Sequence, residues 1–211
     1  MEHRIAIVGV GHVGSALAVT FGRAGLQVRL GVRPGKDATA LVARSGGLAS
    51  AASVPDAVAW ADVVFLAVPA AAAIPTLRDA GDLTGKVLVD CTNPVGFDGG
   101  PVLQPPPEGS VAAALAAAFP AARVVKGFNT FGAEVHANPS LGGQPVEVLL
   151  AGDDGRAVEA VGEIAARAGF APFAVGPLRN AALLEALAVL WIHLASLGGQ
   201  GRRFAFGLVR G

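Results

Sequence analysis

Apolar residues along this chain follow two alternating rhythms. Short unbroken runs such as Ile5-Ala6-Ile7-Val8, Val63-Val64-Phe65-Leu66 and Val87-Leu88-Val89 are bounded by Gly, Pro, Asp or Asn. Runs of that kind read as strands covered on both faces. Between them lie stretches in which apolar residues recur every three to four positions, the period of a helix packed on one face. The rhythm predicts strands at 4–8, 27–33, 47–50, 62–69, 86–91, 123–127, 146–151 and 172–175. It predicts helices at 15–24, 37–44, 53–61, after 69 as far as 80, after 110, and at 156–168 and 180–197. Ser53 and Ser110 stand where N-caps belong, with Pro55 and Asp56 in the turn after Ser53. Residues 93–109 and 128–144 lack either rhythm and are expected to be long loops, which in compact domains are functional or mobile. Strands alternating with helices imply an α/β fold around a doubly wound parallel sheet. The expected division is a nucleotide-binding domain over 1–145 and a smaller segment over 146–211 that ends in an apolar helix.

The first strand runs into Gly9-Val10-Gly11-His12-Val13-Gly14, and a helical pattern follows. Strand, Gly-x-Gly-x-x-Gly, helix is the dinucleotide-binding arrangement. The first glycine makes the tight turn, the second lets backbone approach a pyrophosphate, and the third lets helix pack on strand. Free N–H groups at the helix start then face the phosphates. In such sheets ligands sit at the carboxyl ends of the strands. Those ends are the glycine turn, Arg33, Val68-Pro69, Asn93-Pro94 and Phe128-Asn129-Thr130.

A site for NAD usually carries an acid at the end of the second strand, to bind the ribose hydroxyls. Here that end reads Gly31-Val32-Arg33-Pro34-Gly35-Lys36, two cations and no carboxylate. A guanidinium forks onto a 2′-phosphate and stacks on adenine, and Lys36 adds a point charge. The expected nucleotide is therefore NADP(H).

The chain has 211 residues, 53% hydrophobic and 15% charged, with no net formal charge. That balance offers no basic surface for nucleic acid and no polybasic membrane anchor. The apolar stretch near the start is too short and glycine-broken for a signal peptide, and the run at 186–192 falls well short of the roughly 20 residues of a membrane span. The single cysteine, Cys91, allows no disulfide within the chain and suits a reducing cytoplasm. The expected partners are small-molecule cofactors, with neither nucleic acid nor membrane. No group of residues has metal-ligand spacing, so no metal site is expected, and His136 reads as a surface-loop histidine. Leu187, Leu190, Trp191 and Leu194 recur at helical spacing and predict a stripe packed against a second copy, a homodimer.

Three further strings are less generic: Val124-Val125-Lys126-Gly127-Phe128-Asn129-Thr130, Ala151-Gly152-Asp153-Asp154, and Gly176-Pro177-Leu178-Arg179-Asn180 with Leu184-Glu185. Together with the glycine turn they resemble the NADPH-dependent reductases of the deazaflavin coenzyme F420. They are also similar to the soluble oxidoreductase domain of membrane ferric reductases. The resemblance spans nearly the whole chain. It implies hydride transfer between C4 of the nicotinamide and C5 of the deazaflavin, which needs proximity and excluded water more than an acid–base pair. No catalytic side chain is accordingly assigned. By the family's pattern Gly9, Val10, Gly11, His12 and Val13 hold the pyrophosphate and Arg33, with Lys36, the 2′-phosphate. Ala67, Val68, Pro69 and Asn93 line the ribose and nicotinamide side, and Asn129 and Thr130 border coenzyme F420. The family's archaeal members carry a His-Thr-Ile-Pro-like string where this chain has Asn129-Thr130-Phe131-Gly132. Two alternatives therefore stay open: reduction of a flavin, quinone or ferric chelate, and a non-catalytic NADP-binding sensor.

Overall fold

The glycine turn hands the buried strand β1 (Arg4–Val8) to helix α1 (His12–Arg23). The computed structural model describes residues 3–208, so the outermost residues of the expected division, 1–2 and 209–211, lie outside the described residues. The alternation continues through β2 (Gln27–Val32), α2 (Thr39–Ser45), β3 (Ala49–Ser53), α3 (Val54–Trp60), β4 (Val63–Leu66), a 3-10 turn (Ala70–Ala72), α4 (Ala73–Arg78) and β5 (Val87–Asp90). A hairpin of β6 (Val95–Phe97) and β7 (Pro101–Leu103) follows, then α5 (Val111–Ala118), β8 (Arg123–Lys126) and α6 (Ala133–Ala137). The chain closes with a small hairpin of β9 (Ser140–Leu141) and β10 (Gln144–Pro145), then β11 (Glu147–Gly152), α7 (Gly155–Arg167), β12 (Ala171–Ala174), a 3-10 turn (Leu178–Asn180) and α8 (Ala181–Ser196). Ser53 and Ser110 cap as expected, accepting from the N–H groups of Asp56 and Ala113.

Eight strands form one sheet in the order β12-β11-β8-β5-β4-β1-β2-β3. The six from β3 to β8 are parallel, the doubly wound arrangement. The sheet is mostly rather than wholly parallel. β11 runs against β8, with Ala151 opposite Lys126 and Gly152 opposite Val125, and β12 runs with β11. A parallel neighbour needs a crossover back to the starting edge. The chain between β8 and β11 stays at the carboxyl edge instead, in the five-residue α6 and the β9–β10 hairpin.

Both faces of the sheet are covered. On one side Phe21, Phe65, Phe128 and Phe170 meet edge to face, with ring centroids 5.0–5.6 Å apart for the close pairs. On the other, Val58, Leu66, Leu77 and Leu115 are fully buried. Phe128 holds a φ of 59°, a left-handed backbone rare outside glycine. Its burial in the aromatic cluster fixes the turn that follows β8.

Several sequence expectations need correction. Residues 93–109 contain the β6–β7 hairpin, and 128–144 contain α6 and the β9–β10 hairpin, whose strands are too short to show a rhythm. His136 is fully buried, not on a surface loop. Its Nδ1 lies 2.8 Å from the Gly132 carbonyl and its Nε2 2.9 Å from that of Phe128. Burial holds this imidazole below its ordinary pKa, and the two carbonyls draw it part of the way back. Trp191 is covered by its own chain, stacked on Phe204 and donating its indole N–H to the Phe204 carbonyl at 2.9 Å. The late helix is longer than its apolar run: with the preceding 3-10 turn it covers Leu178–Ser196, long and apolar enough to cross a membrane by length and composition alone. A buried ion pair at Glu185 ties this helix to the sheet.

Candidate functional site

The glycine turn shows the division of labour its spacing predicts. Gly9 has a φ of +100°, and a Cβ there would lie 2.5 Å from the Ala67 carbonyl oxygen. A Cβ on Gly14 would lie 1.8 Å from the Gly9 carbonyl oxygen, so α1 packs against the turn only because that atom is missing. Gly11 is different: nothing lies within 4 Å of a Cβ built there. No packing or backbone strain in the protein itself explains this glycine, and the open space is where a diphosphate would rest. Gly11 also begins α1 with no side-chain cap and no acid in the first turn. The leading N–H groups of that helix are thus open to an anion. The turn is anchored from below, since the Ala67 N–H donates to the Val8 carbonyl at 2.8 Å.

Gly9, Val10, Gly11, Arg33, Lys36, Ala67, Val68 and Pro69 line one crevice of about 400 Å³. Arg33 and Lys36 are exposed on the turn after β2, where the Lys36 N–H donates to the Arg33 carbonyl. The nearest acid in sequence, Asp37, accepts from the Thr39 N–H at 2.8 Å, a bond that lowers its pKa, with a smaller contribution from the charge of Lys36. The residues present therefore fit a phosphorylated dinucleotide. The His12 side chain does not line this crevice but a neighbouring groove with Ser15, Arg23 and Arg44. Val13 is half-buried against the core. Neither of these two residues lines the crevice.

Pro69 also borders a second cavity of about 560 Å³, lined mostly by apolar groups with Asn93 and Gln104 among them. Asn93 leads from it to the remaining expected residues. Its side-chain N–H donates to the Asn129 carbonyl at 2.9 Å, and Asn129 returns a bond to Asn93 Oδ1 at 2.8 Å. Asn129 Nδ2 also donates to the Leu184 carbonyl at 3.0 Å. Asn129 and Thr130 are buried, so they back the site rather than lie open in it.

Below this junction lies a group that sequence reasoning did not assemble. Asp90, Lys126 and Glu185 have fully buried side chains. Lys126 Nζ donates to Asp90 Oδ2 at 2.8 Å, to Glu185 Oε1 at 2.9 Å and to the Thr92 carbonyl at 2.5 Å, using all three of its protons. Asp90 Oδ1 accepts from the Thr92 N–H, and Glu185 accepts from the Val111 N–H at the start of α5. Burial pushes the Glu185 carboxyl above its ordinary range, and the adjacent ammonium pulls it part of the way back. Glu134 is engaged elsewhere, paired with Arg202 at 2.7 Å.

A family profile described as NADP oxidoreductase, coenzyme F420-dependent, matches residues 4–94. The chain is 34% identical to the F420-dependent NADP reductase of Methanothermobacter thermautotrophicus, over 92% of this chain and 90% of that protein. It is 33% identical to metalloreductase STEAP3 of Rattus norvegicus over 87% of its length, but spans only 36% of the rat protein. Among solved structures, a candidate F420-dependent NADP reductase from Arthrobacter superposes with a TM-score of 0.86 at 29% identity, covering 99% of this chain and all of the other.

Proposed function

Because the chain belongs to the family of coenzyme F420-dependent NADP oxidoreductases, we propose that it passes hydride between NADPH and a deazaflavin of the F420 type. The observation that carries the NADPH half is the crevice itself. Its glycine turn is open only at Gly11, and its far end presents two exposed cations. When bound, the nucleotide supplies a hydride from C4 of its nicotinamide to C5 of the deazaflavin. The chain's own part is to bind and orient. Backbone of Gly9 to Val13 holds the pyrophosphate, Arg33 and Lys36 the 2′-phosphate, and Ala67, Val68 and Pro69 the ribose. Asn93, fixed by Asn129, stands on the nicotinamide side, and Asn129 and Thr130 back the deazaflavin side. Residues 1–145 then hold the nucleotide, and 146–211 pack on them to complete the acceptor side that Asn129 and Thr130 begin, in a cytoplasmic protein, a setting supported by its lone, buried Cys91.

The test is optical. NADPH and the oxidised deazaflavin mixed with the protein should bleach the deazaflavin's visible band. Tight NADPH binding with no bleaching would overturn the acceptor. Reduction of a ferric chelate in its place would establish the second reading, which the similarity to a metalloreductase favours.

Arg33→Ala should raise the KM for NADPH roughly ten- to hundred-fold, the loss of one charge-assisted contact, and leave NADH nearly untouched. Steady-state kinetics with both nucleotides decides this, and equal losses would remove Arg33 from the 2′-phosphate.

A second copy of the chain is the proposed occupant of the outer face of α8. Leu183, Leu190 and Leu197 stand 67%, 47% and 60% exposed at intervals of seven, and Phe97 on the neighbouring hairpin is 74% exposed. A helix apolar on all sides calls for cover on all sides. Pairing this face about a two-fold axis would bury on the order of 1,000 Å², near the lower limit for a stable interface. Light scattering should give twice the 21.0 kDa chain mass, and Leu190→Glu should halve it. A monomeric unmodified protein would exclude the pairing.

A further inference from the structure

The buried network beside the crevice is not electrically balanced. Two carboxylates face one ammonium, and among the described residues no other charged side chain is bonded to them. The start of α5, through Val111, offers Glu185 only the partial positive charge of a helix end. With both carboxyls ionised, one negative charge is left in part uncompensated, in a fully buried setting where screening by water and salt is weakest.

Its placement gives it a target. Asp90 and Lys126 are register partners at the last positions of β5 and β8, the edge where ligands of this sheet type bind. Lys126 holds the Thr92 carbonyl, and the next residue, Asn93, lines the cavity beside the nucleotide crevice. A nicotinamide ring at that edge is neutral when reduced and carries a positive charge when oxidised. A fixed negative charge beneath it interacts differently with the two forms.

We infer that Asp90 and Glu185 act as positioning residues for charge, favouring bound NADP⁺ over bound NADPH and so easing hydride departure from the nicotinamide. The inference rests on the nucleotide reading above and adds what sets the balance between its two redox forms. Neither residue touches the crevice. They act across Thr92 and Asn93.

The experiment compares dissociation constants of NADP⁺ and NADPH, measured by titration from about pH 6 to 9, since a carboxyl with a raised pKa ionises toward the upper end. The proteins are the unmodified chain, Glu185→Gln and Asp90→Asn, each checked for folding by circular dichroism. In either folded variant the Kd for NADP⁺ should rise roughly ten-fold relative to that for NADPH. A ten-fold change corresponds to about 1.4 kcal/mol, the order of magnitude of an interaction between partly screened unit charges. A purely structural role would weaken both nucleotides together. An unchanged ratio in a folded variant, or a shift toward NADP⁺, overturns the inference while leaving the nucleotide reading intact. Failure of the unmodified chain to bind either nucleotide overturns that reading instead, and the inference with it.

Discussion

Lys126→Met should lower the melting temperature by roughly 6–20 °C. Removing one member of a buried ion network typically costs about 3–5 kcal/mol, because the charges left behind have neither partner nor water. In a chain of this size each kcal/mol moves the melting point by about 2–4 °C. The structure places the substitution at the severe end of such cases. Lys126 is the shared partner of Asp90 and Glu185, and it also satisfies the Thr92 carbonyl. Methionine fills the same space but leaves two buried carboxylates and an unpaired carbonyl. The deficit should also depend on pH. Without the ammonium, Glu185 loses the interaction that lowers its pKa, so its folded pKa lies further above the unfolded value. A raised folded pKa contributes stability below the unfolded pKa that is lost as pH rises through the folded one. The gap between variant and parent should thus narrow toward about pH 5 and widen toward about pH 8. Thermal melts at both values measure it. A shift under about 2 °C at the higher pH would show that the network bears little on stability.

The second large effect separates folding from binding within one motif. Gly14→Ala places a methyl 1.8 Å from the Gly9 carbonyl oxygen, against backbone that has no soft direction in which to move. Overpacking of this kind typically costs about 1–3 kcal/mol, and here α1 must shift away from the turn that would hold the diphosphate. NADPH affinity should fall at least ~100-fold together with the melting temperature, since near-contact backbone donors tolerate little displacement. Gly11→Ala meets nothing within 4 Å, so the free protein should melt within about 1 °C of the parent. Its methyl nonetheless occupies the space proposed for the pyrophosphate, and affinity should fall by a similar factor. Calorimetry with NADPH beside thermal melts resolves the two. A Gly11→Ala protein that binds normally would show that the diphosphate does not rest on this turn.

The parallel half of the fold was legible in the sequence because each central strand is a continuous apolar run, which only two-sided cover explains. The glycine fingerprint and the missing acid after β2 located the crevice residues to within the turns that carry them. The β6–β7 hairpin was not legible. Its strands are three residues each and interrupted by Gly96 and Pro101, too short for a period to show. The direction of β11 was equally hidden, since a strand buried on both faces reads alike in either orientation. The Asp90–Lys126–Glu185 network escaped because its members lie 36 and 59 positions apart. A signal existed. Asp90 and Lys126 each end an apolar strand with a charge of opposite sign, and Glu185 interrupts an otherwise apolar helix. A lone charge inside a buried element calls for a partner, and three such orphans are best paired with each other. The face of α8 was legible in part: Leu190 of the expected stripe is exposed, but Trp191 is covered by its own chain, because a largely apolar helix does not reveal which side that chain covers.

The attachment of β11 has a consequence for where the sheet gives way first. Only two register pairs, Ala151 with Lys126 and Gly152 with Val125, stitch the last two strands to the parallel six. Side chains rather than backbone therefore carry most of the attachment: Phe170 meets Phe128 edge to face, Arg167 donates to the Gly25 carbonyl, and Glu185 pairs with Lys126. Substitutions that thin this packing should free the two outer strands before they loosen the six-stranded ladder.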